Sequence, residues 1–144
     1  MKNIVIFIIF FFCQFNSSIA SERNIELEKL FQELKNINSN SVFETEQKIW
    51  KLWSTHPTND KLTVRLEEGS QLVRDQNYSK AIDIFTEVIN LDKNWAEAWN
   101  KRATVFYLIG EFQESQNDID KVLTLEKRHF GALAGQGLVN IQLK

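Results

Sequence analysis

The sequence predicts an all-α protein, and three observations carry that prediction. Helix breakers are scarce: the 144 residues hold one Pro and five Gly. Apolar residues recur at intervals of three and four, the spacing of one face of a helix, with no run of strict alternation. The chain also repeats itself. Shifted by about 34 residues, the stretch from Leu62 lies over the stretch from Ala96 without a gap, and a period of that length marks stacked helical units.

The first 20 residues stand apart. "MKNIVIFIIFFFCQFNSSIA" holds five of the eleven Phe, and it opens on Lys2, continues as an apolar run from Ile4 to Phe12 and ends on Ser18-Ile19-Ala20. A positive start, an apolar middle and a small-x-small ending are the three parts of a signal peptide, with cleavage expected after Ala20. The apolar run falls short of the roughly 20 residues that cross a bilayer, so no stable membrane insertion is expected once the leader is removed. Phe12 directly before Cys13 is unlike a lipidation signal. The mature chain would be exported, to the periplasm on this reading, and would contain neither Cys nor Met. It would therefore be held by its core and not by disulfides.

Charge excludes further classes. The full chain has 17 Lys and Arg against 19 Asp and Glu, a net charge of −2, and loss of Lys2 makes it one unit more negative. Such mild acidity gives no attraction for nucleic acid or for an anionic membrane surface.

Residues 21–57 read as an N-terminal helical hairpin. Leu27, Leu30, Phe31 and Leu34 follow the i, i+3, i+4, i+7 pattern, and "NINSNS" interrupts it. Ser41 and Glu44 have capping-box spacing for a second helix, whose apolar face would be Val42, Phe43, Ile49, Trp50 and Trp53. Pro57 and its polar neighbours close the hairpin.

Residues 58–144 hold the repeats: 62–95, 96–129 and a partial third, 130–144. Small residues coincide at Gly69, Ala103 and Gly137, and again at Ala81 and Ser115. Aromatics coincide at Tyr78 and Phe112. Large apolar residues coincide at Leu72 and Phe106, Phe85 and Ile119, Val88 and Val122, and Leu91 and Leu125. Small positions would let paired helices approach, with the aromatics filling the space between them.

These columns resemble the tetratricopeptide repeat, and the resemblance covers residues 62–144. It implies a right-handed TPR-type helical solenoid preceded by the N-terminal helical hairpin, about seven helices in all. Two departures stand out. Lys93 and Lys127 occupy places where the family favours a Pro between units, and Gln76 stands where the family, like Gly110 here, has a turn Gly. With the Trp-bearing hairpin in front, "WNKRA", "VLTLE" and "RHFGALAG" look like the exported TPR-like proteins of alphaproteobacteria.

Catalytic chemistry is not visible. His56 and His129 fall in different connections, without the three or four convergent ligands a metal needs. Gly131, Gly135 and Gly137 lie in a helical apolar pattern, unlike a phosphate loop after a strand. Asp118 and Asp120, two residues apart on a helix, diverge and read as a solvated face. Asn77-Tyr78-Ser79 fits a glycosylation acceptor only in a eukaryotic secretory pathway. No enzyme, metal, cofactor or nucleic acid is expected.

What remains is a surface for a protein or peptide. The resemblance places the first helix of each pair along a concave groove, with Asn100, Thr104 and Tyr107 in the second unit and Leu66, Ser70 and Val73 at the matching positions of the first. An Asn can both donate and accept, and Tyr107 and Val73 offer apolar anchors. The family's carboxylate clamp, which gathers Lys, Arg and Asn from three repeats, is not expected, because Leu66 and Ala134 share the column of Asn100. Glu68 and Arg102, also in one column, would pair between adjacent units and fix their register. On the last helix Leu138 and Ile141 should form an exposed apolar strip, a surface for a partner or for self-association.

Overall fold

A computed structural model describes residues 22–36 and 42–144. The signal-peptide reading and the Ser41 cap lie outside the described residues. The rest is helix and turn, and it divides into two compact units at Asp60 and Lys61.

In the first unit, residues 22–36 (α1) and Val42–Ser54 (α2) are helical. Leu27 and Leu30 on α1, and Ile49 and Trp53 on α2, are buried, so the periodic positions face inward. The two helices meet where Phe31 packs on Trp53, ring centres 6.0 Å apart, while Arg23 donates to the carbonyl of Thr55 at 2.7 Å. Trp50 adds an edge-on contact to Trp53 at 5.5 Å. Phe43, expected on the apolar face, is exposed.

The second unit runs α3 (Asp60–Arg74), α4 (Tyr78–Leu91), α5 (Ala96–Leu108), α6 (Phe112–Leu125) and α7 (Phe130–Gln142). The helices pair in the register of the sequence columns. Gly69 on α3 lies against the ring of Phe85 on α4, so close that a Cβ there would run into it. Ala103, the same column one unit on, is buried, and its carbonyl accepts the hydroxyl of Ser115 from α6 at 2.8 Å. The Ser at that small position thus has its polar atom satisfied. Ala81 is fully buried.

Two clusters form the core. Leu62, Leu66, Phe85, Val88, Trp95, Ala98 and Val105 join the first pair to α5, and Tyr78 packs against them. Ala103, Ile119, Val122, Ala132 and Val139 join α5, α6 and α7, with Tyr107 and Phe112 at the edge, their rings 5.5 Å apart.

The connections explain both departures from the repeat pattern. Helix α3 ends in a Schellman motif: Asn77 N–H donates to Leu72 at 2.8 Å and Gln76 N–H to Val73 at 3.0 Å. Helix α5 ends identically, with Glu111 to Phe106 at 2.9 Å and Gly110 to Tyr107 at 3.1 Å. The motif puts its penultimate residue at positive φ, +59° at Gln76 and +83° at Gly110. Gln76 therefore adopts the backbone a Gly would take, against steric resistance. Between units, carboxylates organise the turns that carry no Pro. Asp92 accepts the N–H of Asn94 at 2.8 Å, and Glu126 accepts that of Arg128 at 3.0 Å.

Arg102 does not pair with Glu68. Its guanidinium forks onto Asp118 of α6, with Nε to Oδ2 and Nη2 to Oδ1 both at 2.8 Å, and its Nη1 donates to the Thr86 hydroxyl of α4 at 2.9 Å. The charge lies over the rings of Trp99 and Phe106, 5.1 and 5.6 Å from their centres. Glu68 instead takes Arg65, which also holds Glu87 of α4. Column equivalence put Glu68 and Arg102 on neighbouring first helices, but at this position Arg102 reaches the layer of second helices, where Thr86 and Asp118 wait. Asp118 is accordingly buried and not a solvated carboxylate, whereas Asp120 is exposed. Burial raises the Asp118 pKa, and the Arg102 fork draws it only part of the way back.

Candidate partner-binding groove

Between α5, α6 and α7 lies an open groove of about 190 Å³. One wall is Asn100, Ala103, Thr104 and Tyr107 on α5, residues that fall on one face at i, i+3, i+4 and i+7. The opposite wall is Gly131, Ala134, Gly135 and Leu138 on α7, and Ser115 and Ile119 of α6 contribute to the floor. The space exists because α7 presents two Gly and an Ala where larger side chains would fill it.

The polar atoms of the α5 wall are largely committed. Thr104 donates its hydroxyl to the carbonyl of Asn100 at 2.9 Å, and Ser115 donates to Ala103. Asn100, 8% exposed, donates its Nδ2 to Oε2 of Glu97 at 3.1 Å. Glu97 is 0% exposed and Oε2 also meets Nε2 of His129, itself 0% exposed, at 3.0 Å. Lys101 brings its ammonium to 3.3 Å from Oε1, close enough for attraction though not aligned as a hydrogen bond. On its other side His129 accepts the N–H of Ala132 at Nδ1, 3.2 Å, and so caps α7. Since Nδ1 accepts, the neutral ring carries its proton on Nε2 and donates it to Glu97.

The structure thus gathers Asn100, Thr104, Tyr107 and Leu138 into one groove. It does not add the first-unit residues to it. Leu66 is 2% exposed inside the first core cluster, Ser70 returns its hydroxyl to the Leu66 carbonyl at 3.0 Å, and Val73 packs against the same cluster. A Leu in that column fills the space between helices, whereas the Asn-and-Ala combination of the later units leaves it open. Gly137, expected as a packing position, is exposed and its Cβ direction is empty among the described residues. In the first repeat the same column packs, Gly69 against Phe85 of α4. On the outer part of α7, Leu138 is 50% and Ile141 67% exposed.

The contact between Glu97 and His129 escaped the sequence reading, which weighed His129 only as a metal ligand. A Glu in the first turn of a helix reads as a dipole partner for solvent. The repeat held one usable signal: His129 shares its column with Trp95, which is also buried at the start of a helix. Among the described residues no group of three or more His, Cys, Asp and Glu side chains is placed to hold a metal ion, and no helix is long and apolar enough to cross a membrane.

No known protein-family model matches the chain. Individual proteins do. A TPR repeat-containing protein of Rhizobium etli is 28% identical over 120 residues, 83% of this chain and 59% of that protein. Sperm-associated antigen 1 of Rattus norvegicus is 34% identical over 89 residues, and a translocon protein of the outer membrane of chloroplasts from Pisum sativum is 29% identical over 66. The chain spans 10% and 11% of the lengths of these last two. With the paired helices, the 34-residue period and these likenesses together, the class is defined: an all-α helical solenoid of the tetratricopeptide-repeat type. Within that class this chain is similar to the Rhizobium protein over most of its length, and it spans little more than half of it.

Proposed function

We propose that this protein is a non-enzymatic interaction module, exported to a bacterial periplasm, that holds a peptide segment or partner helix in the groove between α5 and α7. One observation carries the reading: Asn100, Thr104, Tyr107 and Leu138 converge on an open, mainly apolar groove, built on packed helices that present it in a fixed shape. Repeat solenoids bind partners along such surfaces, and the Rhizobium relative is described by its repeats.

A photo-crosslinking side chain at position 104, in the groove, compared with one at the exposed position 117 on α6, tests this directly. Adducts should form from position 104 and disappear when Leu138→Arg fills the groove with charge. Equal labelling from both positions, or none from 104, overturns the groove. Export is tested by the N-terminus of protein recovered from the cell envelope, which should be Ser21; an intact Met1 in the membrane fraction overturns it.

The exposed Leu133, Leu138 and Ile141 on α7 favour a second reading, self-association through this helix. Sedimentation should then show a dimer at micromolar concentration that Ile141→Lys dissociates. A monomer at high concentration with no dye-binding apolar surface removes it.

A further inference from the structure

We propose that the groove selects its occupant by a hydrogen-bond donor: it takes an apolar side chain with a neighbouring N–H, as an extended peptide backbone presents, and turns away a carboxylate. The inference rests on the groove reading above and assigns Glu97, which never touches the occupant, as the residue that sets this preference.

The orientation of Asn100 is dictated from behind. The carboxylate of Glu97 can only accept, so the Asn100 atom 3.1 Å from it is the NH₂ group. His129 fixes Glu97 in turn. Its Nδ1 is occupied by the Ala132 N–H, which leaves Nε2 as the donor to the same Oε2 that Asn100 meets. A half-turn of the Asn100 amide would set its carbonyl against a carboxylate with no exposed surface, losing one hydrogen bond and opposing two acceptors. Asn100 therefore shows its carbonyl oxygen to the groove, and among the described residues no donor reaches that oxygen. Thr104 is arranged to the same effect. Its hydroxyl proton is given to the main-chain carbonyl of Asn100, so only lone pairs face outward. The α5 wall thus holds two fixed acceptors beside apolar Ala103, facing Leu138 of α7, and its remaining side-chain donors among the described residues are the Tyr107 hydroxyl and the second N–H of the Asn100 amide.

Two probes with the same carbon skeleton, 4-methylpentanamide and 4-methylpentanoate, test the preference by NMR titration of the full chain at neutral pH and high salt. The amide should shift the Asn100 side-chain amide and the methyls of Leu138 and Val139 at about tenfold lower concentration than the carboxylate, the ratio that one well-placed hydrogen bond supplies. Asn100→Ala should bring that ratio close to one while the methyl shifts persist. Glu97→Gln should do the same, because a Gln amide meets Asn100 in either orientation; where that variant does not fold, Asn100→Ala carries the test. Carboxylate binding as strong as amide binding, or a ratio unchanged in Asn100→Ala, overturns the donor preference alone. No shift at groove residues with either probe overturns the groove reading with it.

Discussion

Arg102 and Asp118 form a two-bonded fork between the two helices of the second repeat, each bond 2.8 Å long. Arg102 reaches from α5 to Asp118 on α6 and to Thr86 on α4, so one side chain ties the second helix of the first repeat to both helices of the next. Both charges are largely buried, Asp118 more than Arg102. A pair of this kind adds little net stability over an apolar replacement, but removal of one member strands the other. Asp118→Ala should therefore cost about 3–5 kcal/mol in urea unfolding. Glu68→Ala, at an exposed surface pair with Arg65, should stay within about 0.5 kcal/mol. A double-mutant cycle should find coupling between 102 and 118 and none between 68 and 102.

Gln76 and Gly110 close the same turn with the same hydrogen bonds, yet only one of them is a Gly. A side chain at positive φ resists that backbone by roughly 1–2 kcal/mol, and Gly escapes the penalty at some entropic cost in the unfolded chain. Gln76→Gly should stabilise the protein by about 0.5–1 kcal/mol. Gly110→Gln should destabilise it by a similar amount. Midpoints of thermal unfolding moving in opposite directions for the two variants would establish the point; a fall for Gln76→Gly would contradict it.

The helices were legible because their signals are local and repeated. Gly69 with Ala103 and Ala81 with Ser115 each announce a close approach twice, in columns that the structure packs as pairs. The partners of charged residues were not legible, because they depend on where a side chain points after stacking. Sequence columns align Arg102 with Glu68; space aligns it with Asp118, sixteen positions away. The groove was half legible. Asn100, Thr104 and Tyr107 follow from spacing on one helix, but the opposite wall arises from small residues on α7, and Leu66 in the same column closes the equivalent space in the first unit. The Glu97–His129 contact joins residues 32 apart, and no pattern within either helix shows it.

Stability should depend on pH through two carboxylates of opposite sign. Burial alone would raise the Glu126 pKa, but the guanidinium and the N–H of Arg128, both bonded to it, outweigh burial and hold it below the usual carboxylate value. The folded protein thus binds this proton more weakly than the unfolded chain does. Its contribution is complete above the unfolded value of about 4.3 and is lost as pH falls through the lower folded value. Asp118, with its pKa raised by burial, behaves conversely: its contribution is present below the unfolded value and declines as pH rises through the folded one. Glu126→Gln should lower the unfolding midpoint at neutral pH, with the gap to wild type closing in acid. Asp118→Asn should change the profile in the opposite sense, with its loss relative to wild type greatest in acid. A Glu126→Gln gap that widens on acidification would show the sign to be wrong.

Gly69 and Gly137 share one column, yet they should answer the same substitution in opposite ways. Gly69 lies against Phe85, whose ring is fully buried, and close-packed interiors leave little room for a buried ring to shift. A methyl there must displace the ring or separate α3 from α4, so Gly69→Ala should cost about 1–3 kcal/mol. Gly137 is in the interior of α7, where nothing lies within 4 Å of the position a Cβ would take. The residue gives up helix propensity and gains no packing contact in return, so Gly137→Ala should stabilise the protein by about 0.5–1 kcal/mol. Urea unfolding of both variants measures the contrast. Were Gly137→Ala to lower the midpoint instead, a second surface would have to press on that face of α7 in solution, and sedimentation of wild type and variant side by side would show whether it comes from another copy of the chain.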